Sequence, residues 1–351
     1  VSHPADAAVT LSLAGAWLAK RTAEIDEPDP RGRLGVLDVG SNTVHLLITV
    51  GRPGGRPVPH SSHKTELRLA EHLDPSGRLD RSGVQALVRA VDEARSLAAG
   101  AGAVELAAFA TSAIRDATNS AAVLREVRTR TGVPLEVLSG ADEARYTFLA
   151  VRRWFGWSSG RLLVLDIGGG SVELAAGCDE LPEVALSVPL GAGRLTRNWL
   201  GSDPPRRAEV TALADHVTGL LSTAVSALAA AGRTDLAVGT SKTIRSLIRL
   251  ADVVGATGRP RRTLTQSQLT ELITVLRRTP SVELAQRAAI NPARARQLMA
   301  GAVVARTAMR LLGLRQLTPC PWALREGVIL HRLDVLPFRE DLPSPRAARL
   351  G

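Results

Sequence analysis

The chain has 351 residues, 45% of them apolar, and a formal net charge of +10. That length suits two ordinary domains, and that apolar content suits packed cores rather than disorder. No apolar run is expected to cross a bilayer, and scattered arginines with only 3% aromatic residues argue against a nucleic-acid stacking platform.

Lysine occurs only at Lys20, Lys64 and Lys242. The positive charge is therefore an arginine skew that reflects coding bias as much as an anionic partner. Cys178 and Cys320 have no metal-ligand spacing, which fits a reducing compartment and predicts a cytoplasmic protein. Neither a membrane nor a nucleic acid is expected as a partner.

Residues 7–19 look briefly like a signal core, but Lys20 and Arg21 lie on the wrong side of it. A short leading helix, or a region upstream of the native start, is expected instead, followed by a linker at 27–32. Strands are predicted at 34–39 and 44–50 as a hairpin, then a turn at 51–57 and a strand within 64–70. Ser82 and Gln85 read as a capping box opening a helix to about 99. A strand at 104–110 stops at Thr111-Ser112. A helix at 120–130 and a strand at 135–138 follow. Ser139 and the acids Asp142 and Glu143 read as a second helix start, running to 154.

A second hairpin is predicted at 161–176, a strand at 184–189 and a turn at 190–194. A long helix covers 206–230. A strand at 235–238 runs out into Gly239-Thr240-Ser241, and helices then dominate. Asn291-Pro292 is the clearest of their starts. Strands with interspersed helices in each half predict an α/β protein with duplicated organisation.

The two hairpins carry the main chemical signal. Each is an apolar strand, an Asp (Asp38, Asp166), a small-residue turn and a second apolar strand. A lone Asp at such a place caps a tight turn. The repetition favours holding a metal or its bound water. The turns Gly40-Ser41-Asn42-Thr43 and Gly168-Gly169-Gly170-Ser171 offer backbone N–H groups to phosphate oxygens, and the glycines permit close approach.

Glu143 sits in a first helical turn, where the macrodipole favours an ionised carboxylate able to deprotonate water. Spacing alone favours the plainer role of completing the helix start, and Asp142 competes for either. Arg115 has a fork suited to phosphate, although pairing with Asp116 is the more ordinary reading. Glu173 shares a strand face with Ser171, turned either to the same site or to solvent. Thr240, Ser241 and Lys242 open a helix suited to an anion, but the P-loop spacing is absent and a simple Ser/Thr cap is the safer local reading. His45, His63 and His72 are isolated and receive no role.

Asp38-Val-Gly-Ser-Asn-Thr43, Ala110-Thr-Ser-Ala-Ile-Arg115, Ser139-Gly-Ala-Asp-Glu143-Ala-Arg145 and Asp166-Ile-Gly-Gly-Gly-Ser-Val-Glu173 resemble, in order and spacing, the exopolyphosphatase and guanosine pentaphosphate phosphatase family. The resemblance spans about 33–338. Val188–Thr196 and Pro321–Gly327 are similar to the short actinobacterial exopolyphosphatases.

The resemblance implies two ribonuclease-H-like lobes of the actin, sugar-kinase and heat-shock-chaperone superfamily with a cleft between them. Residues 1–32 become an extension and linker. Lobe I covers 33–142, completed by a C-terminal helix at 321–338, and lobe II covers 143–320. Glu143 matches the general base. Asp166 and Glu173 match acids that position Mg²⁺ (or Mn²⁺) and water, with Asp38 beside the metal. Arg115 matches a phosphate-contacting arginine.

The implied reaction is hydrolysis of terminal phosphate from inorganic polyphosphate. The early end of the chain after Glu326-Gly327 suggests short polymers. Guanosine pentaphosphate, nucleoside triphosphates and a non-catalytic sensor are the alternatives, and a homodimer is compatible with the resemblance. Lys242 stands where relatives carry a glycine. A lysine there crowds a purine and attracts polyphosphate.

Overall fold

The computed structural model describes residues 33–255 and 263–335. The extension and linker expected at 1–32 lie outside them. The first sheet holds β1 (Arg33–Val39), β2 (Thr43–Val50), β3 (Val58–Glu66), β4 (Glu105–Ala110) and β5 (Glu136–Val137), in the order β3-β2-β1-β4-β5. The second holds β6 (Leu162–Ile167), β7 (Val172–Gly177), β8 (Val184–Val188), β9 (Leu236–Thr240), β10 (Leu264–Thr265) and β11 (Gln316–Pro319), in the order β10-β11-β9-β6-β7-β8. In each, three strands form an antiparallel meander and a fourth lies parallel to the first: β4 beside β1, and β9 beside β6. This is the duplicated ribonuclease-H-like α/β arrangement.

The central strands β1 and β6 are apolar on both sides because both faces of each sheet are covered there. From β1, Leu37 and Val39 enter a core shared with the helices Arg81–Gly100 and Ser120–Thr131. Leu34 and Val36 point the other way, into a core with the helix Leu324–Val335. From β6, Leu165 and Ile167 pack with the helices Arg207–Ala230, Ser241–Val254 and Leu298–Leu311. Leu162 and Val164 pack with Ala144, Phe148 and Val151 of the helix Gly140–Phe155.

Two helices thus change sides. Gly140–Phe155 follows the first sheet yet packs on the second. Leu324–Val335 follows the second yet packs on the first. They also pack against each other. At their crossing a Cβ on Gly327 would stand 1.8 Å from the Tyr146 carbonyl oxygen, so only glycine allows the approach.

Several expectations change. The third strand is Val58–Glu66, not 64–70. It is a largely exposed edge strand with Pro59 and Lys64, and such strands lack an apolar pattern. Asp80, not Ser82, caps the next helix: its Oδ1 accepts from Gly83 N at 2.6 Å. The predicted turn at 190–194 instead opens the helix Ala192–Trp199, with Gly191 at its N-cap. The C-terminal helix begins at Leu324, and 336–338 lie outside the described residues. The 24-residue helix Arg207–Ala230, with mean hydropathy 1.2 in its most apolar stretch, is long and apolar enough to cross a membrane, contrary to expectation. In the fold its stripe Val210, Leu213, Val217 and Leu221 packs into the second lobe's core.

Gly327→Ala is expected to destabilise the protein by about 1–3 kcal/mol through overpacking at the helix crossing. Thermal or denaturant unfolding checks this, and an unchanged midpoint would contradict the crossing geometry.

Candidate active site

The two hairpin turns repeat each other in hydrogen bonding as well as in sequence. Gly40 N donates to Thr43 O, and Gly168 N donates to Ser171 O, both at 3.0 Å. Both turns lie at the carboxyl ends of central strands, where open α/β sheets place ligands. They also face each other: a Cβ on Gly169 would lie 3.3 Å from both Asn42 Nδ2 and Ser41 Cβ.

The helix after Gly191 holds the second turn from behind. Ala192 N and Arg194 N donate to Gly168 O and Gly169 O, each at 2.9 Å. A Cβ on Gly191 would stand 2.3 Å from the Gly170 carbonyl carbon. Arg194 donates through Nε to Gly170 O at 2.9 Å and pairs with Asp116 of the first lobe.

Asp38, Glu143, Asp166 and Glu173 line one cavity of about 210 Å³, together with Gly40, Ser41, Asn42, Thr43, Gly168, Gly169, Ser171, Ser241 and Lys242. The structure therefore brings together most of the residues singled out in the sequence. Glu143, Asp166 and Glu173 are buried. Asp166 lies opposite Glu173 across the β6–β7 pair and beside Thr240 of β9. Ser187 of β8 donates to Glu173 Oε1 at 2.9 Å.

Crowding these acids raises their proton affinity. Burial, then the neighbouring Glu173, push Asp166 up to about 8. The same two causes push Glu143 up to about 9, against the pull of Arg115. Burial also raises Glu173. It lifts Asp38 to about 6, opposed by Arg325 and Lys242. The helix-dipole argument for an ionised Glu143 is thus outweighed by desolvation and a like charge.

Three assignments move. Arg115 pairs with Glu143 and Asp116, and donates to Leu138 O at 3.2 Å. It stands behind Glu143 and is not among the residues lining the cavity. The Thr240 hydroxyl donates to Trp322 O at 2.8 Å and so ties β9 to the segment before the last helix. Gly170 packs instead of lining: a Cβ there would lie 2.3 Å from Ser112 Oγ.

Carboxylate oxygens are the donors a hard divalent cation prefers, and Mg²⁺ typically takes one or two of them with water and substrate phosphate. Among the described residues no three His, Cys, Asp or Glu side chains form a group able to hold a metal alone. The expected trio Asp38, Asp166 and Glu173 lines the same cavity without forming such a group.

Sequence reasoning missed several lining residues: His45, Arg245, Arg294, Gln297, Arg325 and Glu326. For His45 a signal existed. It pairs with Asp38 across β1–β2 as Glu173 pairs with Asp166 across β6–β7. Its ring accepts from Arg325 through Nδ1. Burial, with Arg325 and Lys242 nearby, lowers it to about 4.

The cavity adjoins a larger one of about 660 Å³ along the contact between the lobes. The two share Ser41, Asn42, Thr43, Gly169, Lys242, Arg294 and Gln297. The larger adds Lys64, Arg68, Arg197 and Arg296 against Glu66 and Glu71, and its lining contains no aromatic residue. Burial and the neighbouring cations Lys64 and Arg294 lower Lys242 to about 8.

The chain matches, over residues 53–336, the family described as the Ppx/GppA phosphatase family. It is 53% identical over 304 residues to exopolyphosphatase 1 of Mycobacterium tuberculosis, covering 86% of this chain and 88% of that protein. Among solved structures, the Aquifex aeolicus PPX-GPPA enzyme aligns with a TM-score of 0.71 and 27% identity, over 85% of this chain and 99% of that one. An exopolyphosphatase from Cytophaga hutchinsonii aligns with a TM-score of 0.77 at 23% identity, over 86% and 98%.

A cation in the acidic cavity must displace protons, because Asp166 and Glu143 stand near 8 and 9 without one. A carboxylate raised in the fold favours the folded state below its ordinary value, and that contribution is lost as pH rises through its folded value. The metal-free protein is expected to lose thermal stability between about pH 6 and about pH 9. Added Mg²⁺ should raise the melting temperature more at the alkaline end. Equal Mg²⁺ shifts at both ends would contradict this.

Proposed function

The chain belongs to the Ppx/GppA phosphatase family, and from that premise we propose that it is an exopolyphosphatase, a phosphoanhydride hydrolase releasing terminal orthophosphate from inorganic polyphosphate. The observation that carries the substrate is the pairing of cavities. A small acidic chamber opens into a basic channel without aromatic walls. A polyanion gains from Lys64, Arg68, Arg197, Lys242, Arg294 and Arg296, whereas a purine finds no face to stack on.

In this reading the terminal phosphoryl group enters the acidic chamber while the rest of the polymer lies in the channel. Glu143 accepts the proton of the attacking water. Its oxygen is fixed by Arg115, which Asp116 and the Leu138 carbonyl hold in turn. Glu173, oriented by Ser187, and Asp166 face the same chamber. A divalent cation, Mg²⁺ by the hardness of these donors, supplies charge neutralisation of the carboxylates and of the phosphoryl oxygens. The turns at 40–43 and 168–171 and the helix start at Ser241-Lys242 border the phosphate path. Placement of the chain by fixed cations and dipoles is where most of the rate enhancement is expected.

Glu143→Gln should lower kcat about 10²-fold or more while leaving polyphosphate binding intact. Near wild-type turnover would remove Glu143 as base. Purified protein should release orthophosphate from polyphosphate faster than from guanosine pentaphosphate or ATP. Turnover of guanosine pentaphosphate with inert polyphosphate would overturn the substrate assignment.

A further inference from the structure

The geometry points to Arg325 as a catalytic residue that holds the terminal phosphoryl group, with His45 as its positioning residue. This rests on the phosphatase reading above, but not on which phosphoanhydride the enzyme prefers.

The first observation is a broken duplication. The two hairpins match in strand pairing and turn bonding. Yet the partner of Asp166 is an acid, Glu173, and the partner of Asp38 is an imidazole, His45. One half of the cavity is built to gather acids. The other half places a cation beside the imidazole, because Arg325 reaches His45 from the start of the last helix.

The second is an unsatisfied donor. Arg325 Nη1 donates to His45 Nδ1, and Nη2 donates to Glu326 Oε1 at 3.0 Å. Its Nε is buried without a hydrogen-bond partner. Three other buried side-chain atoms share that condition, on Arg33, Thr147 and Arg152. None of those residues borders the cavity, whereas Arg325 does. A buried donor without a partner is costly, and an arginine fork fits phosphate oxygens.

The third is rigidity. Glu326 accepts from Ala323 N at 2.9 Å, and Gly327 seats the helix on Tyr146. The guanidinium is therefore held at both ends. Arginine has no acceptor, so the His45–Arg325 contact requires a neutral ring with its lone pair on Nδ1. Arg245 and Arg294 also line the cavity, and Arg325 differs from them in being fixed through both terminal nitrogens, to His45 and to Glu326.

The test combines turnover with binding of orthophosphate, a probe every candidate substrate resembles at its terminal group. Arg325→Ala and Arg325→Lys should each lower kcat about 10²-fold or more, with added guanidinium restoring part of the alanine variant's rate. Arg325→Ala should weaken orthophosphate binding at least about tenfold, whichever phosphoanhydride the wild type turns over. His45→Gln, which keeps an acceptor, should retain most activity, whereas His45→Leu should lose it. The double variant His45→Leu/Arg325→Ala should be no worse than Arg325→Ala alone. Orthophosphate binding unchanged in a folded Arg325→Ala protein would overturn the proposal. So would wild-type kcat in Arg325→Lys, or multiplicative losses in the double variant. An inactive wild type on polyphosphate with these binding differences intact would sink the substrate assignment and leave Arg325 in place.

Discussion

Five carboxylates, Asp38, Glu143, Asp166, Glu173 and Glu326, share one small cavity between two sheets, and the rest of the site depends on how their repulsion is managed. Burial and the neighbouring Glu173 raise the proton affinity of both Asp166 and Glu143 in the absence of a cation. In the proposed reaction a divalent cation and a phosphate chain would arrive together and change that balance, coupling substrate and metal to the ionisation of Glu143. That coupling also explains why cations surround the acids on the substrate side: Lys242, Arg294 and Arg325 border the same chamber.

The duplicated fold makes that arrangement possible. Each sheet presents an Asp at the end of its central strand and a small-residue turn beyond it. The two side-changing helices each bring a cavity-lining side chain from the neighbouring half. Gly140–Phe155 carries Glu143, and Leu324–Val335 carries Arg325. Their contact at Gly327 fixes both starts relative to the hairpins. Function then arises from departures from symmetry. His45 stands at the register position that Glu173 takes in the second hairpin, and in the proposed reaction the acidic chamber would take the water and the basic channel the polymer.

Much of this was legible in the sequence because it is local. The Asp-turn pattern at Asp38 and Asp166, the doubly buried β1 and β6, and the cap at Ser139 are set by neighbours a few residues away. What the sequence hid depends on distant chain segments. The Glu143 proton affinity follows from burial against Glu173. Arg115 pairs with that carboxylate and does not line the cavity. The Thr240 hydroxyl is engaged by Trp322, some eighty positions on. Arg325 enters the site only because its helix crosses back to the first sheet. His45 is the intermediate case: its spacing from Asp38 equals that of Glu173 from Asp166, and only the strand register gives that spacing a meaning.

The central claim is that water attacks the terminal phosphorus in the acidic chamber while the basic channel holds the remaining chain. A single turnover of polyphosphate in ¹⁸O-enriched water tests it most directly. The account predicts one ¹⁸O atom in the released orthophosphate and none on the new end of the shortened polymer. Label on the polymer end, with unlabelled orthophosphate, would contradict it.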